Sequence, residues 1–180
     1  MPSARLATTV ALLLTLATAP GLAQESEDTE PAPRPANTVS ADLSLGVLGI
    51  AYERVLADYV SLALAAQYFS PWYQLDGVAG FGGELRAHVF PQGIAPEGAY
   101  ILVAARGAWL ATSDEPVQRQ GFAMSARLAV GWSVLLDSFF LRIGLGAQYQ
   151  VIDLEDPAAG PVGDFADVIP VADLFAGAAF

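Results

Sequence analysis

The chain has 180 residues and 54% of them are hydrophobic, a high share for a single soluble domain. It has no cysteine, which excludes disulfides, thiolate metal sites, cysteine nucleophiles and a lipidated-cysteine anchor; its net charge of −11, with Arg as the only strongly basic residue type, excludes a nucleic-acid surface. Beyond the N-terminus no apolar run reaches the 18 or so residues of a helical membrane span, so closed strands remain as the way to satisfy backbone groups in lipid.

Met1 to Ala23 opens with Arg5, continues through an apolar stretch from Leu6 to Ala19 and leaves by the small-residue exit Gly21-Leu22-Ala23. That order reads as a cleaved secretory signal peptide over residues 1–23, because the run is short for an anchor and Pro20-Gly21 breaks it. Residues 24–37 hold Glu25, Glu27, Asp28 and Glu30, then Pro31, Pro33 and Pro35. Such a segment has almost nothing to bury and is expected to be a disordered, acidic periplasmic linker.

Eight strands are expected over 38–46, 48–56, 58–69, 80–90, 99–111, 121–134, 139–151 and 170–180. The first two could be one long strand; a turn at Gly46 to Gly49 gives the even count that bacterial single-chain barrels use. Short connections (Leu56 to Asp58, Pro91 to Gly98, Leu135 to Ser138) alternate with longer ones (Ser70 to Ala79, Thr112 to Gln120, Asp153 to Val168). Short and long ends then belong to opposite sides of a membrane, with both termini on the short-turn side.

The clearest signal is the pair of strands between Gln120 and Val151. One face carries Phe122, Met124, Ala126, Leu128, Val130 and Trp132, and the other Ala123, Ser125, Arg127, Ala129, Gly131 and Ser133. After Leu135 to Ser138 the alternation resumes, with Leu141, Ile143, Leu145, Ala147, Tyr149 and Val151 opposite Arg142, Gly144, Gly146, Gln148 and Gln150. Period two means strand, and bilayer length with aromatics toward the ends points to a transmembrane hairpin.

The last strand ends on Phe180, with Ala172, Leu174, Ala176 and Ala178 on its side. A terminal aromatic on an alternating strand resembles the C-terminal assembly signal of outer-membrane barrels. Together with the export signal and the strand pattern, residues 38–180 resemble the small outer-membrane β-barrel families, the eight-stranded barrels similar to OmpX or the OmpA membrane domain. The resemblance is architectural. It implies an all-β, eight-stranded antiparallel transmembrane barrel with a short disordered N-terminal tail, located in the Gram-negative cell outer membrane. Its expected partners are outer-membrane lipid and the barrel assembly machinery, the latter through the C-terminal strand, with a monomeric state and no cofactor.

Carried through every strand, the alternation puts Asp42, Glu53, Glu84, Arg86, Arg106, Arg127, Arg142 and Asp173 on the face opposite the bulky apolar residues. Acids and arginines balance there. An eight-stranded barrel is just wide enough for its side chains to fill, and unpaired charge in so narrow a space is costly, so a lumen plugged by paired charges is expected. A gated or narrow pore is the alternative use of the same residues.

His88, the only histidine, falls on the inner face near the short-turn end, with no serine in the pattern of lipid-acting barrel hydrolases; a structural role is expected. Asp153, Glu155, Asp156, Asp164 and Asp167 would crowd the last long loop, where a solvated acidic surface outweighs a weak divalent-cation site because the spacing matches no EF-hand. Gly80, Gly82 and Gly83 precede no helix, so they read as strand curvature rather than a phosphate loop. Tyr68, Phe69, Trp72 and Tyr73 read as an interfacial aromatic cluster. No catalytic or metal residue is assigned. The reading is a non-enzymatic outer-membrane barrel with a structural or surface-interaction role, its alternatives being a narrow pore, a lipid-modifying barrel enzyme, or a secreted soluble ligand-binding barrel with its large residues inside.

Overall fold

A computed structural model describes residues 34–73, 77–112, 119–156 and 160–180, leaving out the side chains of 155, 156 and 160–165. The proposed signal peptide and most of the proposed linker lie outside the described residues. The strands are β1 (Asn37–Ser44), β2 (Val47–Ala57), β3 (Val60–Phe69), β4 (Val78–Val89), β5 (Gly98–Thr112), β6 (Gln120–Leu136), β7 (Phe139–Asp156) and β8 (Gly160–Ala179). They pair antiparallel in chain order and β8 closes onto β1, giving an eight-stranded all-β barrel.

The register sets its dimensions. Thr38 leads across the pairs to Glu53, Ala63, Arg86, Ala104, Arg127, Gln148 and Ile169. Continuing the β8–β1 register, in which Thr38 faces Ala179, brings Ile169 opposite position 48, so one circuit advances 48 − 38 = 10 residues. A ten-residue stagger over eight strands corresponds to a tilt of about 40° and an axial rise of about 2.5 Å per residue.

Bulk faces outward. Ile50, Leu64, Leu85, Val103, Leu128 and Leu145 are exposed, whereas the alternate positions of the same strands are buried. Trp132, Phe139, Tyr59 and Phe180 ring the end that carries the termini, and Tyr68, Phe81, Trp109 and Phe122 ring the other. Phe122 and Trp132 stand ten residues apart on β6, which places the two rings about 25 Å apart along the axis.

Three hairpins are tight, Asp58-Tyr59 joining β2 to β3 being one of them. Leu45-Gly46 joins β1 to β2 with Gly46 at φ +69°, where a Cβ would lie 2.4 Å from the Ser70 carbonyl oxygen. Asp137-Ser138 joins β6 to β7 with Asp137 at φ 54°, a left-handed conformation that a short polar side chain tolerates. The first turn is therefore at Leu45-Gly46 rather than Gly46 to Gly49, and Gly49 belongs to β2.

Three expectations need correction. The segment Asp153 to Val168 is not a long loop: β7 continues to Asp156 and β8 begins at Gly160. Alternation persists there with its sense reversed, Ile152 and Leu154 being buried and Asp153 exposed. Past the aromatic ring β7 keeps Ile152 and Leu154 inside and turns Asp153 outside, which is why a pattern defined by apolar-out residues ended too early. Pro170 also marked a false start, yet it pairs with Ala147 inside β8, at a level where β1 has already ended at Ser44 opposite Asp173. An open edge is where a sheet accommodates proline. Finally, Phe90 to Glu97 is as long as the Ser70 to Gly77 connection, so connection length does not separate the two ends cleanly. The segment folds inward instead: Phe90 N–H donates to the Tyr59 carbonyl and Ala95 N–H to the Asp58 carbonyl, both at 2.8 Å.

Candidate functional site

The barrel interior is layered. At the end carrying the termini Phe90, Ala95, Tyr100, Phe140 and Phe175 form an apolar cap, and at the far end Val47, Phe69, Val78, Leu110, Ile152 and Leu154 form another. The eight charged residues expected on the inner face, Asp42, Glu53, Glu84, Arg86, Arg106, Arg127, Arg142 and Asp173, all lie buried between them.

Six make one central cluster. Glu84 is its hub, accepting from Arg86 Nε, Arg127 Nη2 and, at 2.6 Å, Arg106 Nη2. Arg86 Nη2 also donates to Asp42 Oδ2 and Arg127 Nη1 to Asp173 Oδ1, each at 2.5 Å. Arg106 Nε donates to Gln67 Oε1 at 2.7 Å, and Ser40 Oγ to Asp42 Oδ1 at 2.9 Å. Three acids thus meet three arginines, and β1, β4, β5, β6 and β8 are tied across the lumen rather than only around the wall. Gln148 and Gln150 bond to each other above the cluster, and Tyr73 donates to Gln150 Oε1 at 3.4 Å. Burial raises the pKa of the Tyr73 hydroxyl.

The other two charges form a second cluster nearer the termini. Arg142 Nη1 donates to Glu53 Oε2 at 2.8 Å, and its guanidinium lies 5.2–5.6 Å from the ring centroids of Phe140, Tyr100 and Phe90. That is an aromatic enclosure for a desolvated cation. Arg142 Nη1 is 3.2 Å from His88 Nε2. Because a guanidinium can only donate, Nε2 accepts, which puts the ring proton on Nδ1, 3.6 Å from Glu53 Oε2.

A serine does meet this histidine, although the sequence offers no recognised spacing for it. Ser61 pairs across β3 and β4 with His88, and its hydroxyl donates to Glu53 Oε1 at 2.5 Å. Cross-strand register alone brings the two together. The hydroxyl is committed to the carboxylate and not to the imidazole, and Ser61 and His88 are fully buried, so the group has neither the proton path nor the access of a nucleophile and base.

The aromatic group at the far end divides by face. Tyr68 and Trp72 are exposed, with Tyr68 edge-on to Phe81 at 5.4 Å, whereas Phe69 is buried in the far apolar cap and Tyr73 reaches inward to Gln150. Asp153 and Asp167 are exposed on β7 and β8. Among the described residues no group of acids or histidines is placed to hold a metal ion.

No described protein family matches the sequence, and no curated protein matches it. Among solved structures the chain is similar to the N-terminal β-barrel domain of Pseudomonas aeruginosa OprF, at 18% identity over 82% of this chain and 100% of that one, with a TM-score of 0.47. It is also similar to Acinetobacter baumannii CarO, at 15% identity over 81% of this chain and 98% of that one, again with a TM-score of 0.47.

Proposed function

We propose that the protein is a non-enzymatic outer-membrane β-barrel with a structural or surface-interaction role, inserted through its apolar belt and plugged along its lumen by paired Arg and Asp/Glu side chains. The observation that carries this reading is the inverted polarity of the wall: eight charged side chains are buried inside while Ile50 and Leu64 are each 67% exposed outside. A soluble ligand-binding barrel needs the opposite arrangement. The belt between the aromatic rings, about 25 Å, matches the apolar band of outer-membrane barrels. Export by a cleaved signal peptide, a monomeric state and delivery to the assembly machinery through the strand ending in the outward-facing Phe180 belong to the same reading.

Planar-bilayer conductance tests it, after the mobility difference between boiled and unboiled samples has established that the protein is folded. A folded, electrically silent protein is expected. Discrete current steps would refute the plug and favour a narrow pore, for which one observation speaks: among the described residues Arg106 Nη1, Arg127 Nε and Gln67 Nε2 are buried without a hydrogen-bonding partner, slack that lets the pairs exchange.

A further inference from the structure

We propose that the outer wall over β1, β2 and β3 seats one glycerophospholipid of the leaflet on the termini side, with its phosphate on Arg54 and an acyl chain in the groove beside it. The inference rests on the membrane reading above. The groove has a volume of about 420 Å³, walled by Ile50, Tyr52 and Leu64 and floored by Ala51, Ala65 and Ala66. Its depth comes from the outward Ala66, which follows the outward Leu64 on β3 and pairs with Ile50 on β2.

The groove leads to a cation. Arg54 lies two residues past Tyr52 on the outward side of β2, about 5 Å closer to the termini end along the axis. Its register partner is Asn37, whose Oδ1 accepts from the Tyr52 hydroxyl at 2.7 Å, so the rim of the groove is braced beside the guanidinium. Arg86, Arg106, Arg127 and Arg142 are buried inside, which leaves Arg54 as the outward-facing cation among the described strands, and among the described residues it makes no ion pair.

Depth and charge select the occupant. Arg54 sits at the level of the aromatic ring that includes Trp132 and Tyr59, where a guanidinium reaches lipid phosphates while its stem stays on apolar surface. On a chain of net charge −11, Arg54 is the cation that the described strands offer a phosphate on this wall. A second outer groove, lined by Tyr68, Phe81, Trp109 and small residues, has no charge on its walls.

The test uses the full chain in nanodiscs of equal parts phosphatidylglycerol and a phosphate-free glycolipid of the same acyl chains, with retained lipid read by native mass spectrometry. The wild type is expected to keep one phosphatidylglycerol in preference to the glycolipid, and Arg54→Gln and Ala66→Leu each to reduce that adduct about tenfold. Both substitutions are on the exposed outer wall, and heat-modifiable mobility checks each fold. Loss in only one variant, loss in neither, or complete competition by inorganic phosphate overturns the seat. Failure of the wild type to insert into the discs overturns the membrane reading along with it, whereas insertion without a selective adduct overturns the seat alone.

Discussion

Glu84→Gln removes one charge from the lumen while keeping the shape of the side chain. The central cluster then holds three arginines against Asp42 and Asp173. Arg86 and Arg127 keep those partners, but Arg106 keeps only the neutral Gln67. Each charge-assisted hydrogen bond is worth roughly 1.5–3 kcal/mol, and Glu84 accepts from three arginines, so simple addition gives an upper bound near 9 kcal/mol. Partners share the loss, and removal of one side of a buried pair costs about 3–5 kcal/mol, which is the figure expected here. With a urea slope of about 2 kcal/mol/M, the unfolding midpoint in lipid vesicles falls by about 2 M, read from the fluorescence of the exposed Trp109 and Trp132. Adding Arg106→Gln restores neutrality and should return more than half of the loss, a positive coupling that separates charge imbalance from mere packing. A shift under about 0.5 M for Glu84→Gln would refute the reasoning, because it would mean that the hub carboxylate is solvated and the interior is wet.

Two further changes probe the wall. Leu128 is exposed near mid-belt and Leu136 is exposed at its edge; Leu128→Arg should cost about 2–4 kcal/mol in bilayers and Leu136→Arg about 0–1, a depth dependence that urea unfolding in vesicles would reveal and that a water-facing wall would lack. Gly131 faces inward under Tyr100, and a Cβ there would fall 2.5 Å from the ring and 2.2 Å from the Ile143 carbonyl oxygen. Gly131→Ala should therefore destabilise by about 1–3 kcal/mol, and an unchanged midpoint would show that Tyr100 does not pack against the wall.

Much of this architecture was legible in residue order because a strand's two faces differ so sharply within the belt. The alternation of Phe122, Met124 and Leu128 with Ala123, Arg127 and Ala129 maps directly onto exposed and buried positions. The strands were underestimated where the environment changes: Asp153 faces water on the same side that Tyr149 and Leu145 present to the belt, so one pattern became two. The inward position of each charged residue follows from alternation, but partner choice does not. Arg142 joins Glu53 across 89 residues of sequence, and Arg127 joins Glu84 and Asp173 at once, relations that only the ten-residue stagger creates. Ser61 and His88 meet through the register of the neighbouring strands β3 and β4, which no local spacing in the sequence marks.

The unequal strand lengths have a consequence for what the far rim presents. The strands lengthen around the barrel from 8 residues in β1 to 20 in β8 while their ends on the termini side stay near one level, and β8 runs on from Asp173, the partner of Ser44 at the end of β1, to Gly160, so the far rim climbs as a ramp and closes in a step of about 30 Å between β8 and β1. The Leu45-Gly46 hairpin sits at the foot of that step, level with the far aromatic ring, while β7 and β8 run on to Asp156 and from Gly160. A peptide epitope grafted at Leu45-Gly46 would be shielded among lipid headgroups; the same epitope on the β7–β8 hairpin would stand clear of them, within reach of an antibody or a protease.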